Sequence, residues 1–199
     1  MRHNFLVSGS AFRLRPVNDE DAEFIRDLRC DPNLNAFLHA TNSITQDQLD
    51  WLSSYYQRPN DYYFVVERSD NCVPEGLISL YEVELNTPKQ AEWGRWILKS
   101  SSLAAVESAA LIYKFGFEIL DLESIYCRTV ASNERVVSFH DSCGIVNRKI
   151  LKNYFQLGST SRVDAVEHRL DKKLWPEIST RLQRLSDLTA LRLKRIRSS

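Results

Sequence analysis

The stretch AEWGRWILKSSSLAAVES, residues 91–108, begins as an extended aromatic-rich run, passes three consecutive serines and continues as an alanine-rich helix. No glycine or proline marks the joint. A strand that ends in small polar residues at the mouth of a helix can hold an anion. The first turn of a helix presents N–H groups without carbonyl partners, together with a partial positive dipole. Phosphate cradles commonly use glycine for close backbone approach. Here Ser100, Ser101, Ser102, Ala104 and Ala105 offer small side chains, the hydroxyls add donors, and Leu103 is the awkward member. The same residues also suit a plain β-to-α joint in which Ser102 caps the helix.

Working outward, the alternation in Phe12–Arg15 predicts a short strand ended by Pro16. Asn18 then caps a helix whose apolar stripe is Ala22, Phe24, Ile25 and Leu28. A second helix is expected over Thr45 to Tyr56, before the breaker Arg58-Pro59-Asn60-Asp61. YYFVVER (62–68) and GLISLYEVEL (76–85) read as hairpin-like strands, and AEWGRWILK as a third. Alternation along it puts Glu92, Gly94 and Trp96 on one face and Trp93, Arg95 and Ile97 on the other.

A helix is predicted from about Ser102 to Leu120, a strand over 124–131, and a capped helix over SNERVVSFHDSCG (132–144). A last hairpin spans Asn147–Gly158 and Asp164–Leu170. A tail helix from Trp175 carries Leu182, Leu185, Leu188 and Leu191 at every third position. The order β-α-α-β-β-β-α-β-α-β-β-α gives an α/β (α+β) class, one central mixed, twisted sheet flanked by helices with an extra C-terminal helix. The division expected is a domain over 1–175 and a basic amphipathic helix over 176–199.

The chain of 199 residues suffices for one domain with a substantial core, and its 43% hydrophobic and 26% charged residues are ordinary for a globular protein. A formal net charge of zero implies no general pull toward nucleic acid or membrane. The tail alone is basic, with six Lys/Arg from Arg181 onward against Asp187. Its leucines favour a packing or dimer helix with a solvated basic face, so a homodimer is an expected partner arrangement and nucleic acid is not. No apolar run approaches 18 residues, and the opening MRHNFLVSGSAFRLRP lacks a signal core. Four scattered cysteines without paired spacing suggest reduced thiols, a cytoplasmic location and no metal site.

Four segments together resemble the GNAT N-acyltransferase superfamily: FRLRPVNDEDAEFI, AEWGRWILK, ESAALIYKFGFEILDLESIYCRTVASNERVVSF and FHDSCGI. The likeness runs over residues about 12 to 175 and is nearest the branch of ribosomal-protein N-terminal and bacterial aminosugar N-acetyltransferases. FGFEILDL followed by Asn133-Glu134 eleven residues beyond Leu122 is its most specific part. Two departures accompany it. The family's cofactor loop carries a basic or amide residue and a glycine, whereas Ser100–Ala105 keeps only the final alanine. His140 stands where the family has a tyrosine acid.

The resemblance implies transfer of acetyl from acetyl-CoA, a co-substrate, to a primary amine within a ternary complex. Trp96, Ile97 and Leu98 would bind the pantetheine arm through their backbone, and residues 100–105 the pyrophosphate, with Lys99 or Lys114 supplying charge. Asn133 would touch the arm, or only cap its helix. Glu92 is the candidate base, and His140 a catalytic group titrating near neutral pH, each with a structural alternative. A Cys143–His140 nucleophile is the less favoured route. For the acceptor, Arg29, Asn35, His39, Tyr81, Glu82 and Trp93 are pocket candidates, and Arg29 and Arg95 would meet phosphates. A nucleotide-linked amino sugar is the leading acceptor, since Trp and Tyr side chains can stack a ring and a base. A protein N-terminus is the alternative, as is a binding module without transfer activity.

Overall fold

The computed structural model describes residues 2–38, 41–157 and 161–197. Among these, eight strands form one sheet in the order β1-β2-β3-β4-β5-β6-β8-β7. They are β1 (Val7–Ser8), β2 (Phe12–Pro16), β3 (Tyr62–Arg68), β4 (Pro74–Glu84), β5 (Gln90–Leu98), β6 (Ser124–Val130), β7 (Arg148–Leu157) and β8 (Ser161–Asp171). The helices are α1 (Ala22–Cys30), α2 (Thr45–Tyr56), α3 (Ala105–Lys114), α4 (Glu134–Ser142) and α5 (Trp175–Arg197). Gly158, the expected end of a hairpin strand, lies outside the described residues. No described helix is long and apolar enough to cross a membrane.

Each face of the sheet buries its own cluster. Along β3 the side chains of Tyr62, Phe64 and Val66 enter the larger core under α3 and α5, while Tyr63 and Val65 enter a smaller one under α1 and α2. This period of two explains why the run Tyr62–Val66 is apolar throughout. The α1 stripe predicted from sequence is sound: Ala22, Ile25 and Leu28 are buried. Asn18 caps the entry, where a short 3-10 turn, Asp19–Asp21, precedes the helix: its side chain accepts from Glu20 N and its own N–H donates to Asp21.

Three expectations need correction. The helix predicted from Ser102 begins at Ala105, and its end is a π turn, Phe115–Ile119. Among the α5 leucines only Leu182 is buried, whereas Leu185, Leu188 and Leu191 are exposed. Three residues turn an α-helix by 300°, so each leucine falls 60° behind the last and the row leaves the core. The buried seam is instead Trp175, Ile178, Leu182, Ser186 and Ala190.

The third correction concerns β5. Gly94 pairs with Ser79 and Ile97 with Leu77, so Arg95 and Trp96 together oppose Ile78 in a β-bulge. Arg95 takes φ 47°, a left-handed conformation unfavourable for a residue with a Cβ. The alternation predicted for this strand fails there. Trp96 turns to the side of Trp93, their ring centroids 5.4 Å apart, against α3 and α4. Arg95 and Ile97 face α1 and α2.

On its other edge β5 pairs with β6 in parallel at only three positions, Gln90↔Ser124, Ala91↔Ile125 and Glu92↔Tyr126. The ladder stops at Glu92, and the strands diverge. All remaining ladders in the sheet are antiparallel.

Candidate active site

A cleft of about 1050 Å³ occupies the divergence of β5 and β6 and continues under α1 and α2. Glu92 stands where the ladder ends. Its carboxylate accepts from the Tyr81 hydroxyl at 3.0 Å on Oε1 and from Arg128 Nη1 at 2.8 Å on Oε2. Gly94 makes this possible, because a Cβ there would lie 2.8 Å from the Tyr81 oxygen. Burial pushes the Glu92 pKa up to about 6, against the opposing pull of the Arg128 charge and the Tyr81 bond. Burial beside the Glu92 carboxylate also raises the Tyr81 phenol.

Arg128 reaches across the gap from β6 and is anchored from behind, Nε donating to Glu167 at 3.0 Å. Its guanidinium lies between the rings of Tyr126 and Tyr154, 4.5 and 5.1 Å from their centroids. The sequence reading passed over it. Its one signal was a charge inside the compact apolar strand SIYCRTV.

His140, on α4, lines the cleft but is 1% exposed. Trp93 meets it edge-on at 5.1 Å, and its Nε2 lies 3.3 Å from Cys127 Sγ. Burial first, and His168 second, push its pKa down to about 3. The imidazole is therefore neutral across the physiological range, and the expected titration near pH 7 is corrected. The sulfur beside it is Cys127, and burial raises that thiol. Cys143 is buried too, its thiol pushed up to about 11, so neither supplies a thiolate near neutral pH.

At the far side of the cleft, Trp96, Ile97, Leu98, Lys99, Ser100, Ser102 and Ala105 form the wall, while Ser101, Leu103 and Ala104 do not line it. Ser102 Oγ accepts from Ala104 N at 3.1 Å, a local turn bond, and the expected cap by Ser102 is corrected because the N-cap of α3 is Ala104, without a side-chain cap bond. Trp96 Nε1 donates to Ser108 Oγ at 3.1 Å, fastening the bulge to the first turn of α3. Lys99 lines the cleft, whereas Lys114 sits in the last turn of α3, about 14 Å along its axis from the cradle. Arg135 on α4 also lines the cleft and is a nearer cation that sequence reasoning missed. Asn133 caps α4, accepting from Val136 N at 3.4 Å, and faces the cleft.

Of the acceptor candidates, Arg29, Tyr81 and Trp93 line the cleft, and Asn35 does not. Trp93 faces α3 and α4 rather than the α1/α2 lobe. Tyr126 donates to Glu82 at 3.5 Å. His39 lies outside the described residues. Arg95 is held by both oxygens of Asp61 at 2.6 and 2.9 Å, which commits the guanidinium that had been expected to meet phosphate. Trp51 and Arg58 line the same lobe and were read from sequence only as helix and breaker. Among the described residues no group of three or more His, Cys, Asp or Glu is placed to hold a metal ion.

Residues 12–146 match the family model of the acetyltransferase (GNAT) domain. No curated protein matches the sequence. Among solved structures, apo FdhC, described as a nucleotide-linked sugar GNAT, is similar at 30% identity and TM-score 0.75, over 92% of this chain and 99% of that one. A spermidine N-acetyltransferase from Vibrio cholerae, solved with CoA and spermine, shares the fold at 20% identity and TM-score 0.74, over 84% of this chain and 99% of its own.

Proposed function

Because the chain belongs to the GNAT acetyltransferase family, we propose that it transfers acetyl from acetyl-CoA directly to a primary amine, the amine of a nucleotide-linked amino sugar. The observation carrying this reading is Glu92, a buried carboxylate at the vertex of two diverging strands, with a helix N-terminus along one wall and arginines along the other.

The pantetheine arm lies along the edge of β5 that β6 leaves unpaired, bonded by the backbone of Trp96, Ile97 and Leu98. Its pyrophosphate rests on Ser100, Ser102 and Ala105 and the N–H groups opening α3. The Asn133 side chain contacts the arm, with Arg135 and Lys99 as cations at the phosphates. Glu92 takes one proton from the acceptor ammonium, and the neutral nitrogen attacks the thioester carbon. Its oxyanion is stabilised by a β5 backbone N–H. The C–S bond then breaks, and the second proton lost by nitrogen ends on the CoA sulfur. His140, neutral, contributes an N–H hydrogen bond near the leaving sulfur rather than a mobile charge.

The acceptor assignment is supported by the arginines of the α1/α2 lobe and by the likeness to a nucleotide-linked sugar GNAT. A polyamine would bring cations toward Arg29, Arg58 and Arg95. Calorimetric titration with acetyl-CoA tests the reading. Micromolar binding is expected, and no acetyl-CoA binding would reject the transferase reading.

A further inference from the structure

We propose that the lobe of the cleft beneath α1 and α2 is a nucleotide subsite, in which the base lies against Trp51 and the diphosphate pairs with Arg58 and Arg29. This rests on the acetyl-transfer reading above and says where the non-reacting part of the acceptor sits.

The lobe is furnished by α1, α2, β3, β4 and β5 around one aromatic ring. Trp51 lines the cleft, half-buried, and its orientation is fixed from two sides. Tyr55, one turn later on α2, is parallel to it within 3° at 5.7 Å, and Tyr63 of β3 meets it edge-on at 5.7 Å. A pinned indole gives a stacking surface with little side-chain entropy left to lose. Base–aromatic stacking is tolerant of base identity, so the subsite selects a nucleotide without naming which one.

Charge points to the same ligand class. Arg58 lies 5.3 Å and Arg95 5.6 Å from the Trp51 centroid. Arg95 is spent on Asp61, and Arg58 and Arg29 line the same lobe beside it. Arg58 is exposed in the turn after α2, and Arg29 is steadied by its Nε bond to Thr41 Oγ1 at 2.8 Å. A guanidinium fork suits phosphate oxygens better than any neutral group. The carboxylates lining this lobe are Asp47, bonded to Asn42, and Glu92 at its inner end. The order from the surface inward is thus arginine and indole, then Tyr81, then the carboxylate at the vertex. A sugar nucleotide with its amine at the far end from the base fits that order.

Space agrees. Ligand clefts commonly measure about 300–1000 Å³, and this one, at about 1050 Å³, has room for more than a pantetheine arm and a bare amine.

The test is calorimetric titration of the full chain, saturated with CoA, with UDP, dTDP, GDP and CDP in turn. CoA saturation fills the α3 cradle, so a nucleotide cannot report on that site. At least one nucleoside diphosphate is expected to bind, with inorganic pyrophosphate and free nucleoside each about tenfold weaker or more. Arg58→Gln and Trp51→Ala each weaken binding about tenfold, and Trp51→Phe, which keeps a ring, weakens it less. Absence of binding by all four, equal binding of inorganic pyrophosphate, or indifference to Arg58→Gln and Trp51→Ala would overturn the subsite. Acetyl transfer to simple amines without nucleoside diphosphate binding removes the subsite and leaves the transferase. Nucleoside diphosphate binding without transfer to any amine upholds the subsite and removes the reaction.

Discussion

Glu92 owes its pKa to competing neighbours, and these can be separated one at a time. The groups facing it are Tyr81 and Glu82 of β4, Tyr126, Cys127 and Arg128 of β6, and Glu167 of β8. The base must be ionised to accept a proton, so kcat/KM falls as pH drops through about 6. Glu92→Gln should lower kcat by about 10²–10⁴-fold. Arg128 favours the carboxylate, so Arg128→Gln should move the acidic limb up by about one pH unit or more. Glu167 disfavours it, and Glu167→Gln should move the limb down. Parallel shifts in the two variants would show that Arg128 acts only by holding the strands together. In the same pH–rate profiles His140→Phe should lower kcat without moving either limb, since a neutral imidazole contributes none between pH 6 and 9; an unchanged kcat would remove His140 from the reaction. The sequence made Glu92 and His140 visible because each occupies a recognisable place in a motif. Arg128 was not visible, because its meaning depends on a gap between β5 and β6 that no local pattern records.

At the scale of elements, the strands and helices were readable wherever one period held from end to end. α2 starts and ends at the expected residues, and β3 matches its predicted span. β5 defeated the period of two because one extra residue, absorbed in the bulge, reverses every side chain beyond it. The α5 leucines misled because a spacing of three is near the helical repeat without equalling it. That correction has a measurable form. Leu182→Ala should cost about 2–5 kcal/mol in denaturant unfolding, as expected for a fully buried leucine. Leu188→Ala, at a site 57% exposed, should stay within about 0.5 kcal/mol. Equal costs would mean that the exposed row is covered in solution.

Seen whole, the molecule joins an antiparallel sheet of five strands to one of three through a ladder of three residue pairs. The Glu92–Arg128 ion pair is the next bridge along the same gap. The hairpins β3–β4 and β7–β8 were legible from their spacing, whereas the pairing of β2 with β3, of β6 with β8 and the parallel joint were not, since each links strands distant in sequence, the joint 26 residues apart through α3. The short ladder also fixes how the backbone meets solvent. A strand in the middle of a sheet ordinarily holds its amide protons longest, because its N–H groups are paired on both sides. Beyond Glu92, the N–H groups of β5 that point toward β6 should instead trade hydrogen for deuterium as fast as those of an edge strand, while their alternates facing β4 stay slow. Acetyl-CoA should erase that difference, turning the most permeable line through the centre of the sheet into one of its most protected.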